Sequence, residues 1–273
     1  MHAPSFAENT NAPLLLCEVA GATAILTLDR PETRNTLSEA MLSALGKALG
    51  EIAEDRSIRA VVLAANGPVF SAGHDLKELT AHRAHADGGR AYFHQIMQAC
   101  SAVMQMIVRL PQPVIAAVEG TATAAGCQLV ASCDLGIASA TAKFGTSGIN
   151  AGLFCSTPMV ALSRKVARAP AMEMLLTGDL IPADEALRIG LVSRVVPAGQ
   201  ARSEALALAD KIAAKSASAV RLGKEAFYRQ LEMGLSEAYS YTSDVMVQNM
   251  LTGDAEEGIA AFIEKRPPQW RDS

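Results

Sequence analysis

The stretch that most limits what this chain can become runs from Pro113 to Asp134, P-V-I-A-A-V-E-G-T-A-T-A-A-G-C-Q-L-V-A-S-C-D. Val114 to Val118 is an apolar run of strand length. Glu119 and Gly120 break it, and Thr121 to Gly126 are all small. Apolar residues then return at helical spacing with Cys127, Val130 and Ala131. Strand, small-residue turn and helix leave the first helical N–H groups without partners. Such groups attract an oxygen that carries negative charge. A second stretch, Val69 to Leu79, repeats the arrangement: an apolar pair, then Ala72-Gly73-His74-Asp75, then a charged helix start. Amides from the two turns can converge on one carbonyl oxygen that becomes an anion. They can equally be two ordinary tight turns, and spacing alone leaves both readings open.

The flanking sequence has the same α/β character. Ala24 to Leu28 and Ala60 to Ala65 read as strands, and Leu135 to Ala138 as a further short one. Ser38 caps a helix whose Leu42, Leu45, Leu49 and Ile52 share a face. Asn66-Gly67-Pro68 is turn chemistry. Phe93 to Val108 traces a long amphipathic helix. From Thr157, an expected N-cap before Pro158, the chain is mostly helical. Strand followed by helix recurs along the first half, which favours right-handed crossover units. The late helices are apolar beyond what one sheet needs, so part of that face is expected to meet a neighbouring subunit.

Composition removes several function classes. A net charge of -4 in 273 residues argues against broad nucleic-acid binding. Five cysteines without a C-x-x-C pair fit a reduced, cytoplasmic chain. No apolar run reaches the ~18 residues of a membrane span. Gly120 to Gly126 is followed by Cys127 rather than Lys, so it is not a P-loop, and no G-x-G-x-x-G or G-x-S-x-G occurs. His82, His85 and Asp87 lie in a polar loop and read as structural or solvated rather than as metal ligands. No metal or separate cofactor is expected.

Several motifs in one order resemble the enoyl-CoA hydratase/isomerase (crotonase) superfamily. They are R-P-E-T-R-N-T-L at Arg30 to Leu37, F-S-A-G-H-D-L-K-E-L, the opening stretch itself, A-K-F-G, L-L-T-G-D, G-L-V-S-R-V-V-P and A-F-I-E-K-R at Ala261 to Arg266. The resemblance implies an α/β crotonase-like spiral of ββα units. It would occupy residues 13–200, after a loose tail at 1–12, with a helical trimerisation region at 201–273. It implies an acyl-CoA thioester as ligand, coenzyme A being part of the substrate, and a homotrimer or hexamer. The main-chain N–H groups of His74 and Ala125 would bind the thioester oxygen. Ala72, Asp75, Leu76 and Lys77 would lie along the coenzyme, and Phe262 and Lys265 would reach it from a neighbour.

The chain departs from the family where water is activated. The glutamate after the G-G-C turn is Gln128 here, and the second glutamate position is Gly148. Neither residue exchanges a proton near neutral pH, so hydration is expected to be weak or absent. Ala124 and Ala125 replace glycines, and their methyl groups are expected to crowd the anion site. Cys127 and Cys155 are expected as buried structural thiols, Glu119 as solvated and Asp134 as structural. The alternative function is a non-catalytic acyl-CoA-binding or assembly protein.

Overall fold

The computed structural model describes residues 13–272. The expected tail at 1–12 lies outside the described residues. The first elements are a hairpin, β1 (Leu15–Ala20) and β2 (Thr23–Leu28), joined through the left-handed Gly21. β1 is mostly exposed and runs along a sheet edge. α1 (Glu39–Glu54) starts at Ser38, whose hydroxyl accepts from the Met41 N–H, and buries Leu42, Leu45, Leu49 and Ile52.

There follow β3 (Ala60–Ala65), β4 (Val69–Ser71), α2 (Leu76–Ala81) and α3 (Arg90–Arg109). Next are β5 (Val114–Val118), β6 (Thr121–Thr123), α4 (Ala125–Ser132), β7 (Leu135–Ser139) and β8 (Lys143–Gly145). α5 (Pro158–Lys165), α6 (Arg168–Thr177), β9 (Ile181–Pro182), α7 (Ala183–Arg188) and β10 (Arg194–Val196) lead into the closing helices. These are α8 (Ala201–Ala213), α9 (Ala217–Gln230), α10 (Leu235–Met250) and α11 (Gly253–Ile263). No described helix is long and apolar enough to cross a membrane.

Successive passes place one longer strand in a six-stranded sheet, β1-β2-β3-β5-β7-β10, and one short strand in a four-stranded sheet, β4-β6-β8-β9. A helix then returns the chain, which makes the ββα spiral. β2, β3, β5, β7 and β10 pair in parallel, so the large sheet is covered on both faces. α1, α3 and α4 cover one face. On the other, Ala201, Ala205 and Ala209 of α8 pack on Ala60, Val62, Ile115 and Ile137. Alanine at every fourth position lets that helix lie close against the strands.

Two local expectations change. Thr121 to Thr123, read as part of a turn, is the strand β6, held by β4 and β8 from distant parts of the chain. Gly120 permits this, because a Cβ there would lie 2.1 Å from the Pro68 carbonyl oxygen. Thr157 precedes α5, but its hydroxyl makes no capping bond among the described residues, and its own backbone is already helical.

Asp134 ties the closing helices to the spiral. One carboxylate oxygen accepts from the Val114 N–H at 2.6 Å and from Lys224 Nζ at 2.7 Å, and the other from the Tyr228 hydroxyl at 2.9 Å. Lys224 also donates to the carbonyls of Ile107 and Gln112. Lys165 donates to the carbonyls of Cys133 and Asp134. Removing one member of such a buried pair leaves the other charge uncompensated. Lys224→Ala is therefore expected to cost about 3–5 kcal/mol, with a smaller loss for Tyr228→Phe. Urea unfolding of the three proteins checks both the size and the order.

Candidate active site

The site forms where the end of β4 meets the start of α4. The β4 end is held against the segment before α1: the Ala72 N–H donates to the Arg34 carbonyl at 3.0 Å, and the Leu37 N–H to the Gly73 carbonyl at 2.8 Å. The Gly73 N–H donates to Ser71 Oγ at 3.3 Å. Among the described residues, these bonds leave the N–H of His74 without an internal acceptor. On α4 the Ala124 N–H donates to the Gly145 carbonyl at 2.9 Å, and the Gln128 N–H to the Ala124 carbonyl. The Ala125 N–H, first of the helix, likewise has no internal acceptor among the described residues. Ala124 supplies no side-chain cap, so nothing competes for the helix start.

The two segments touch through glycines. A Cβ at Gly73 would lie 3.0 Å from the Ala125 nitrogen and 3.0 Å from Ala124 Cβ. A Cβ at Gly126 would lie 2.3 Å from the Ser71 carbonyl oxygen, so only glycine lets α4 approach β4 this closely. The fold thus brings the neighbourhoods of His74 and Ala125 side by side.

Ala124 is strained. Its φ of 51° and ψ of -121° fall in a region that glycine adopts freely and L side chains rarely do. The expected crowding by both methyl groups divides: Ala125 is buried in the core cluster, whereas Ala124 Cβ faces Gly73.

Gln128 is 4% exposed, and its Oε1 has no hydrogen-bond partner among the described residues. Gly148 lies in the 3₁₀ turn Ser147–Ala151. Its missing side chain leaves no room: a Cβ there would meet the Leu153 carbonyl oxygen at 2.6 Å and Cys155 Sγ at 2.8 Å. A side chain on residue 148 therefore collides with main chain. Thr123 Oγ1 and Ser147 Oγ pair at 2.7 Å across β6 and the turn after β8. Cys127 and Cys155 are buried; burial pushes the Cys127 thiol up to about 12 and raises that of Cys155. Both are protonated near neutral pH.

The remaining predicted residues are distributed differently. Asp75 caps α2, accepting from the N–H groups of Lys77 at 2.9 Å and Glu78 at 3.1 Å. Ala72 is half-buried, while Leu76 and Lys77 are exposed beside it. Phe262 is 85% exposed on α11, and Lys265 is exposed just after it. α11 packs on α9 and α10, so one chain does not bring these two residues to the His74 turn. Glu119 is not simply solvated: its carboxylate accepts from the N–H groups of Gly199 and Ala201 and caps α8. In the polar loop, His82 stacks on Tyr92 at 3.4 Å and Asp87 accepts from the Gly89 and Ala91 N–H groups. Sequence reasoning missed Asn35, Ser71 and the Cys155 contact; only the R-P-E-T-R-N-T-L resemblance pointed near the first of them.

A profile of the enoyl-CoA hydratase/isomerase family matches residues 18–273. The chain belongs to this family. It is 51% identical over 245 residues to enoyl-CoA hydratase domain-containing protein 3, mitochondrial, of Rattus norvegicus, covering 90% of this chain and 80% of that one. The crystal structure of the human domain-containing protein 3 superposes with a TM-score of 0.90 at 47% identity, over 94% of this chain and all of that one. An enoyl-CoA hydratase from Mycobacterium smegmatis superposes at 0.91 with 53% identity, over 95% and 99%. The relative's name corrects the cytoplasmic expectation: the rat, mouse, frog and human proteins are all named mitochondrial. Reduced cysteines fit that compartment as well, so cysteine usage did not discriminate.

Two outcomes follow from the geometry. Ala124→Gly relieves a strained φ and is expected to stabilise the chain by about 1 kcal/mol, read as a higher thermal midpoint. The His74 ring nitrogens are buried without hydrogen bonds among the described residues, and burial lowers the imidazole pKa below its ordinary 6.5, although the Leu37 carbonyl opposes this. The folded state then binds fewer protons than the unfolded one, so stability is lost as pH falls from 6.5 through the lowered value. His74→Asn is expected to flatten that part of the unfolding free energy measured against pH.

Proposed function

We propose that this chain binds an acyl-CoA thioester and stabilises its enolate with the N–H groups of His74 and Ala125. The observation that carries the reading is the packing of Gly73 against the Ala125 nitrogen, with both amides free of internal acceptors among the described residues. When charge moves from the α-carbon to the thioester oxygen, each preorganised donor in such a site stabilises it by roughly 2.7–4 kcal/mol. The start of α4 adds its dipole. Ala72, Asp75, Leu76 and Lys77 would line the coenzyme, Asp75 through its backbone because its carboxylate caps α2.

Hydration needs a group that takes a proton from water and one that returns it to carbon. Gln128 cannot do this, and the Gly148 position is filled by Cys155 Sγ and a carbonyl. Each missing acid–base group costs about 10²–10⁴-fold in rate. A reaction that generates the enolate without a carboxylate base, such as loss of carbon dioxide from a 2-carboxyacyl thioester, suits this site better than water addition. The second reading is an acyl-CoA-binding or assembly protein without turnover, favoured by the lack of any carboxylate at positions 128 and 148.

Self-association belongs to the same proposal. Phe227, Leu231, Leu235, Tyr239, Leu251 and Phe262 are exposed on or beside the last three helices. A homotrimer or hexamer would cover such a face and let Phe262 and Lys265 of one subunit reach the ligand of another.

Incubation with crotonyl-CoA, a 3-enoyl-CoA and methylmalonyl-CoA, with products followed by chromatography, tests the enzymatic reading. Slow or absent hydration is expected. Rapid hydration of crotonyl-CoA would show that the argument from Gln128 and Gly148 is wrong. Retained thioester binding without any product would favour the binding protein.

A further inference from the structure

Asn35 is fully buried and left-handed, with φ 52° directly after Arg34 at 57°. A non-glycine pair in this region persists only where the surroundings over-determine it. Here they do. The Asn35 N–H donates to the Arg30 carbonyl at 2.8 Å, and Oδ1 accepts from the Arg30 N–H at 2.8 Å. Nδ2 donates to the carbonyls of Asn66 and Val69, each at 2.8 Å. The Asn35 carbonyl accepts from the Ser71 hydroxyl at 2.8 Å, and that oxygen accepts in turn from the Gly73 N–H. One residue therefore fixes both the entry and the exit of β4. Its neighbours Arg34 and Leu37 engage the Ala72 N–H and the Gly73 carbonyl, and Ser71 Oγ links the Asn35 carbonyl to the Gly73 N–H. The next N–H along the chain is that of His74.

We propose that Asn35 is a positioning residue, one that aims the His74 amide at the ligand by clamping β4 at both ends, without touching the ligand itself. This rests on the reading of His74 and Ala125 as paired donors. A purely structural Asn35 would change stability alone; a positioning Asn35 also changes how strongly the bound carbonyl is polarised.

Infrared difference spectra of butyryl-CoA carrying ¹³C at the thioester carbonyl separate these roles, because donor hydrogen bonds lower the carbonyl stretching frequency. The band is expected to shift down on binding to the wild-type protein. Asn35→Gly, which tolerates the positive φ, is expected to lose about half or more of that shift, the share of one of two donors. Leu45→Ala, a core cavity in α1 that destabilises through packing, is expected to keep the full shift. A full shift in Asn35→Gly, or an equal loss in Leu45→Ala, overturns the proposal. If Asn35→Gly does not fold or does not bind, Ser71→Ala, which cuts the link from Asn35 to Gly73, carries the test with the same criteria. Wild-type protein that fails to bind, or binds without any shift, overturns the donor-pair reading and this inference with it.

Discussion

Everything at the site depends on how closely β4 and α4 approach. The Gly126 position lies against the Ser71 carbonyl, and the Gly73 position against the Ala125 nitrogen. Neither contact survives a side chain. The short sheet carries β4 and β6 side by side, and α4 follows β6 directly. The strained Ala124 is tolerated because its N–H is fixed by Gly145 and its carbonyl by Gln128.

The polar groups away from this contact act mainly on the frame. Glu119 caps α8, Asp75 caps α2, and Asp134 anchors Lys224 and Tyr228 of α9. The sequence had suggested a solvated Glu119, a structural Asp134 and an Asp75 lying along the coenzyme. Each is occupied by main-chain N–H groups or a partner cation. The thiols are held protonated by burial. Three features of this region carry no charge: the Gln128 amide, the Cys155 thiol packed at Gly148, and the hydroxyl pair of Thr123 and Ser147.

Long periodic elements were legible in the sequence. α1 and the six-residue β3 follow directly from apolar spacing and, for α1, the Ser38 cap. The short strands were not. β6 spans only Thr121–Thr123 and exists because β4 and β8 flank it, so no local pattern announces it. β1 was overlooked because an exposed edge strand carries little alternation. At the site, the family resemblance pointed to Gln128 and Gly148, but not to the packing of Cys155 and Leu153 against Gly148. That packing joins residues through a turn whose shape sequence alone does not specify. Asn35 appeared only as one letter in a familiar string; its five hydrogen bonds follow from tertiary structure.

The proposed recognition element, made of peptide groups, has an evolutionary corollary. Codon changes replace side chains and leave the amide of every residue but proline in place. On the proposed reading, drift at positions 128 and 148 can therefore erase or exchange one chemistry while the grip on the ligand's carbonyl is inherited intact. A lineage built on this scaffold is free to lose a reaction, stay idle as a receptor for the same molecules, and later acquire another.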